Sequence, residues 1–266
     1  MAVASGTLQR ANELLSYRDL VRNLVVRDLK VRYKQSVLGF LWSLFNPLLL
    51  MIVFSVVFTV MMPNNQIRAF PAFILSALLP WNWCATSVGA GTVSVVGNAN
   101  LIKKVYFPRE LLPISVVLSN LVNYLLALIV LLVVLLAYHM YPSWVLVYLP
   151  VIIAIQIIFL SGLVLFLSSI NVAFRDTEVI VEVAITAWFF LTPVFYDIGT
   201  LLPTSARVIY WVNPMASLVE SYRLIFYNGA APDPAFLFRM FLTSAIVFVI
   251  GWVTFQHFSP RFGEEL

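Results

Sequence analysis

The chain has 266 residues, 62% of them apolar and 11% charged, with a net charge of +4 and a mean hydropathy of +0.95. Soluble domains are roughly 45–50% apolar and about 25% charged, so a soluble fold is excluded and the length is read as one all-α membrane domain. The lone Cys84 lies in an apolar stretch, which excludes an intrachain disulfide and a cysteine-built metal cluster.

Residues 1–36 form an N-terminal segment without the apolar core and small-residue cleavage site of a signal peptide. From Leu14 to Lys34, apolar residues recur at Tyr17, Val21, Leu24, Val25 and Leu29, while Arg18, Arg22, Arg27, Lys30 and Lys34 fill other faces. Such steps of three and four describe an amphipathic helix lying on the membrane. Ser16 with Asp19 is a capping signal at its start.

Six spans are predicted, at about residues 37–62, 70–96, 111–138, 144–170, 178–196 and 236–258. Most approach the roughly 20 residues that a helix needs to cross hydrocarbon; the fifth is short and holds Glu182. Asn46-Pro47 is expected to break the first span near its start, and Pro80 interrupts the second, where neighbouring helices must satisfy the freed carbonyl. Ser87, Ala90, Gly91 and Ser94 give that second helix a small-residue face for close approach. His139 to Ser143 tightly connects the third and fourth spans. Residues 206–227 contain Asn213, Pro214, Glu220 and Arg223. Each charge at mid-membrane costs about 2.5–3.5 kcal/mol, so this stretch is predicted to be a re-entrant or interfacial helical pair joined at Asn213-Pro214.

If the N-terminus is cytoplasmic, only Arg68, Arg207, Arg223 and Arg239 of the 16 Lys and Arg residues fall outside. The positive-inside bias therefore predicts a multi-pass protein with both termini cytoplasmic.

There is no GxxxxGK[ST] loop and no Gly-Lys pair, hence no nucleotide site of the P-loop kind. Ion-coupled carriers place carboxylates or a Lys inside the bundle, but here Glu182 stands alone in the central spans. His139 and His257 fall near opposite surfaces, which argues against a metal site. No Ser or Cys has a plausible catalytic base beside it in sequence. No cofactor is expected in this chain, and a membrane protein of this make-up that moves something across the bilayer is expected to draw its energy from another chain.

Three blocks of residues carry a resemblance. The first is Arg27-Asp28-Leu29-Lys30-Val31-Arg32-Tyr33-Lys34-Gln35-Ser36-Val37-Leu38-Gly39, followed by Leu41-Trp42 and Asn46-Pro47-Leu48. The second runs from Val96-Gly97-Asn98 through Lys103-Lys104-Val105-Tyr106-Phe107-Pro108-Arg109 to Pro113. The third combines Arg175-Asp176, Leu191-Thr192-Pro193-Val194-Phe195-Tyr196, Asn213-Pro214 and Tyr222-Arg223. In this order, over nearly the whole chain, they resemble the permease subunit of polysaccharide-exporting ABC transporters, nearest the O-antigen and lipid-linked polysaccharide group.

That resemblance implies a dimer of this subunit in the cytoplasmic (inner) membrane, bound to two copies of a separate ATP-binding-cassette ATPase that holds ATP and Mg. It also implies a lipid-linked polysaccharide as cargo, contact with membrane lipids, and no nucleic acid partner. Residues 98–108 would be the coupling helix, begun by Asn98 and stopped by Pro108. Its candidate contacts with the ATPase are Asn98, Asn100, Lys103, Lys104, Tyr106, Phe107 and Arg109. Without the resemblance, the same stretch is also compatible with an ordinary loop whose lysines fix topology. Arg27, Lys30, Arg32 and Lys34 of the N-terminal helix are expected to meet the ATPase or anionic headgroups, at about 1 kcal/mol per charge near the surface. A pyrophosphate-linked carrier lipid would be attracted for the same reason.

A sugar ring has an apolar C–H face that suits flat amphipathic side chains. Trp42, Phe45, Phe54 and Phe58 on the first span, Trp81 on the second, and Trp188, Phe195 and Tyr196 on the fifth are the candidate substrate path. Most such rings equally suit interfacial belts or packing. Alternatives left open are a permease for teichoic acid, capsular polysaccharide or another lipophilic substrate, an ATPase-independent carrier, and a membrane glycosyltransferase.

Overall fold

The computed structural model describes residues 17–34, 41–61, 67–141, 143–198 and 206–265, and among these every regular element is a helix. In chain order they are α1 (Arg18–Tyr33), α2 (Trp42–Ser55) with a π-helical extension Val56–Met61, α3 (Phe70–Thr92), α4 (Ser94–Gly97), α5 (Ala99–Lys104) and α6 (Leu111–Ala137). A 3-10 turn, Trp144–Tyr148, leads into α7 (Leu149–Ala173), followed by α8 (Thr177–Leu191), α9 (Ala206–Val212), α10 (Pro214–Phe226) and α11 (Pro234–Phe258). A second 3-10 turn, Ser259–Arg261, precedes α12 (Phe262–Glu265).

Among the described residues, four stretches are long and apolar enough to cross a membrane: Leu44–Met61, Leu111–Ala137, Trp144–Ala173 and Pro234–Arg261. The helix α3 has the length, at 23 residues, but carries Pro80 and Asn82. At 15 residues, α8 rises only about 22 Å, short of a hydrocarbon core of about 30 Å. The expected fifth segment at 178–196 is therefore corrected at its far end. Pro193 keeps Thr192 extended (φ −99°, ψ 133°), so the helix stops at Leu191 and Phe195 and Tyr196 sit in the turn beyond it.

Two further expectations change. Pro47 lies inside α2 without breaking it, because so near the helix start it deprives only one first-turn carbonyl of a partner. Ala90 is exposed whereas Ser87, Gly91 and Ser94 are buried, which narrows the small-residue face of α3 and α4 to those three. The Ser16 cap and residue Leu14 lie outside the described residues.

The helix α3 is the buried centre, packed against α6, α7, α8 and α10. Its close approach to α7 depends on Gly91, where an added Cβ would fall 2.1 Å from Val164 Cγ1. From α7, Gln156 Nε2 donates to the carbonyl of Pro80 at 2.9 Å. Bare backbones meet where α7 crosses α11: a Cβ on Gly251 would lie 1.9 Å from the Gly162 carbonyl oxygen, and one on Gly162 2.4 Å from Phe248 Cα. This is the small-residue contact of helices in lipid, where van der Waals fit replaces the hydrophobic drive.

One apolar cluster gathers Leu24 of α1, Val95 of α4, Ile102 of α5, Leu111 and Leu112 of α6, Val172 of α7, Phe255 of α11 and Phe262 of α12. The N-terminal helix, the short α5 and the C-terminal helix thus share one end of the bundle. At the other end, Asn213 joins α8 to α10. Its Oδ1 accepts from Trp188 Nε1 at 2.8 Å and from the Ala216 amide at 3.2 Å, capping α10. Its Nδ2 donates to the Leu191 carbonyl at 3.2 Å, a group left open by the end of α8.

Arg223, 3% exposed, holds the same turn. Its Nη2 donates to the carbonyls of Pro193 (2.7 Å) and Val194 (3.2 Å), its Nη1 lies 3.5 Å from Glu220, and its guanidinium stacks 3.9 Å above the Phe73 ring. The charges that seemed too costly for this segment are met by each other, by a ring face and by carbonyls of the turn after α8, while Arg223 Nε and Nη1 make no hydrogen bond among the described residues.

Arg223→Leu is predicted to cost about 1.5–3 kcal/mol, the worth of charged hydrogen bonds, read as a lower melting temperature in detergent; an unshifted melt would show that the clamp contributes nothing. Gly251→Val is predicted to push α7 from α11 and cost about 1–3 kcal/mol. Recovery of a monodisperse protein of parental thermal stability would contradict that crossing.

Candidate functional site

The segment between α3 and α6 is a compact turn with one outward and one inward face. Helix α5 is shorter than the expected 98–108: it ends at Lys104, and Val105 is extended (φ −132°, ψ 134°). Pro108 disfavours a helical Phe107, so the helix does not resume after Lys104 and the chain bends at Phe107. Asn98 precedes the helix, but its Nδ2 donates back to the Ser94 carbonyl at 2.8 Å instead of capping forward.

The predicted contact set divides accordingly. Asn100, Lys103, Lys104 and Tyr106 project outward, Tyr106 being 97% exposed. Phe107 turns inward, packed in the cluster with Ile102 and Leu24, and Arg109 Nη1 donates to the carbonyl of Ser259 after α11. Phe107 and Arg109 are therefore anchors of the turn. Val105, exposed beside Tyr106, belongs to the outward tip; only the extended backbone reveals it, because its apolar type reads as core.

Helix α1 buries the face predicted for it, with Leu24 4% exposed and Tyr17, Val21, Val25 and Leu29 partly buried. Arg27, Lys30 and Lys34 are exposed, and Arg27 pairs with its neighbour Asp28 at 3.0 Å. Arg32 is exposed as well but reaches α6, where its Nη1 donates to Asn120 Oδ1 at 2.7 Å. Asn120 stands nine residues into α6, about 13 Å along its axis, so the C-terminal end of α1 is carried alongside the bundle.

The candidate path residues separate into three groups. Phe54, Phe58 and Phe195 form one continuous aromatic cluster, with Phe58 and Phe195 centroids 5.2 Å apart and Phe54 6.4 Å from Phe195. Tyr196 joins at 5.1 Å from Phe195, and Phe189 links the cluster to Trp81, itself 5.7 Å from Trp188. Trp81 is 3% exposed and is packing, not lining. Trp42 and Phe45 lie at the opposite end of α2 and are both exposed.

Helices α2 and α8 leave much of their surface uncovered. Leu49, Ile52, Val53 and Val60 of α2 and Val179, Ile180, Val183 and Leu191 of α8 are all at least half exposed. Glu178 and Glu182 are exposed on α8 as well. Carboxylates in a membrane helix face a partner or water rather than lipid tails.

A cavity of about 310 Å³ lies between α1, α2, α3 and α6, lined by Arg32, Trp42, Asn46, Asn82, Trp83, Asn123 and neighbouring side chains. Arg32 and Trp42, predicted for different roles, thus meet at one site. Among the described residues, no group of three His, Cys, Asp or Glu is placed to hold a metal ion.

Known proteins similar to this chain agree with one another. An O-antigen export system permease protein, RfbA, of Myxococcus xanthus is 42% identical over 260 residues, covering 97% of this chain and 100% of its own. Two RfbA permease proteins of Klebsiella pneumoniae are 36% and 35% identical, each over 93% of this chain and 95% of their own length. A family model described as ABC-2 type transporter matches residues 19–227. With matches of that extent to a helical, membrane-suited bundle, the chain belongs to the ABC-2 type transporter membrane family.

Proposed function

We propose that this chain is the channel-forming permease subunit of an ATP-driven exporter that moves a lipid-linked polysaccharide of the O-antigen type outward across the cytoplasmic (inner) membrane. It works as a dimer with two copies of an ATP-binding-cassette subunit, which hold the ATP and Mg; this chain binds no nucleotide. Its six spans leave both termini cytoplasmic. The observation that carries the reading is the outward tip of Asn100, Lys103, Lys104 and Tyr106, mounted between two long helices at the end where α1 and α12 also lie. An aromatic side chain almost wholly in solvent, flanked by cations, has the make-up of a docking knob for a soluble partner. The relatives' names, O-antigen export permeases, support the cargo.

The dimer is supported by α2 and α8. Their uncovered apolar surface, together with Glu178 and Glu182, suits a face closed by a second copy around a polar conduit. The aromatic cluster of Phe54 and Phe58 on α2 with its extension and of Phe195 and Tyr196 in the turn after α8 offers weak, repeated stacking surfaces to a passing glycan.

Tyr106→Ala is expected to weaken binding of the purified ATPase roughly thirtyfold, as loss of an interface anchor does, and to depress export in reconstituted vesicles to the same extent. Full export together with parental ATPase affinity would refute the docking role. The double charge reversal Arg27→Glu with Lys30→Glu is expected to lower export severalfold while leaving the detergent-purified protein folded. Export and ATPase association at the parental level would remove α1 from the working surface.

A further inference from the structure

We propose that the cavity between α1, α2, α3 and α6 binds the phosphorylated saccharide head of a lipid, the guanidinium of Arg32 taking the phosphate and the Asn46, Asn82 and Asn123 side chains taking the sugar. The inference rests on the exporter reading above and names where, within one protomer, the cargo's head is held.

Three observations carry it. Arg32 is the one charged residue among those lining the cavity, and no carboxylate lines it among the described residues. A cation held alongside a membrane helix with no acid facing it calls for an anionic partner, and the planar fork of Arg suits phosphate. The guanidinium is also aimed. Asn120 Oδ1 accepts from Arg32 Nη1 at 2.7 Å, while Asn120 Nδ2 is spent on the Val116 carbonyl at 3.0 Å, so both ends of that carboxamide are committed to positioning.

The rest of the lining includes the carboxamides of Asn46, Asn82 and Asn123 and the Trp42 ring, set in a wall of Leu79, Trp83, Tyr124 and smaller side chains. Carboxamides both donate and accept, as sugar hydroxyls and acetamido groups require, and the exposed indole of Trp42 suits the C–H side of a pyranose, with the buried Trp83 packed behind the cavity wall. Trp83 is fixed by its Nε1 donating to the Val117 carbonyl at 3.2 Å and by stacking on Tyr124 at 5.1 Å. A cavity of about 310 Å³ lies in the size range of small-molecule sites. The cavity lies beside Asn120, about 13 Å along the long apolar helix α6. A site on the flank of such a helix favours a head delivered on a lipid.

The test is equilibrium binding to the full-length chain in phosphatidylcholine nanodiscs. The probes are a short polyprenyl diphosphate carrying N-acetylglucosamine, the same lipid diphosphate without the sugar, and free N-acetylglucosamine 1-phosphate. Arg32→Gln is expected to weaken both lipid probes about tenfold or more, and Arg32→Lys to restore part of that loss. Asn82→Leu is expected to weaken the sugar-bearing probe alone. Equal binding of the free sugar phosphate, with the same Arg32 dependence, would support the site and assign its ligand to the soluble pool. Parental affinities in both Arg32→Gln and Asn82→Leu would overturn the site. Failure of the parent chain and its ATPase to export cargo would sink the exporter reading whatever the cavity binds; normal export with unaffected variants would sink the cavity alone.

Discussion

A chain in hydrocarbon has to find internal partners for every polar group it carries, and in this protein that constraint is concentrated where α8 ends. Asn213 and Arg223 take up the carbonyls that α8 and the following turn leave open, and Glu220 and the Phe73 ring meet the charge of Arg223. Without them, α8 would end on unpaired backbone carbonyls, each of which costs several kcal/mol in hydrocarbon. With them, the 15-residue helix ends with its carbonyls met, and Phe195 and Tyr196 are pinned onto the aromatic cluster. The polar clamp and the aromatic surface are one construction.

The opposite end is built on apolar packing. Ile102 and Phe107 root the α5 turn in a cluster shared with α1, α6, α7, α11 and α12, and Arg109 ties it to the end of α11. Close-packed interiors pass displacement on instead of absorbing it. A displacement of the Tyr106 tip would therefore be felt by several long helices at once, among them α7 and α11, which meet backbone to backbone at Gly162 and Gly251.

The sequence was legible where composition alone decides the outcome. Helices α6, α7 and α11 fall close to their expected bounds because long apolar runs leave few alternatives, and the α5 turn is visible as a polar interval between such runs. The joint at Asn213-Pro214 follows from capping and proline preference. What stayed hidden depends on how helices meet. Phe107 and Arg109 read as contacts on the tip, yet the turn points them inward. Phe195 and Tyr196 read as a continued helix, yet Pro193 ends it. Arg32 reads as one more interfacial cation, and only the lean of α1 against α6 brings it to Asn120. The signal that was available for the cavity is the trio Asn82, Asn120 and Asn123 in apolar helices, where carboxamides are costly unless they are paired or used.

The account stands on the outward tip meeting a separate ATP-hydrolysing subunit on the inner face. The most direct measurement places a photo-reactive benzophenone amino acid at position 106 in cells that express the whole transporter and identifies what it captures. The account predicts a covalent adduct with the ATP-binding subunit that changes in yield between ATP-bound and nucleotide-free states. Labelling of position 106 by a membrane-impermeant reagent added from outside, or no adduct with that subunit in any state, would contradict it.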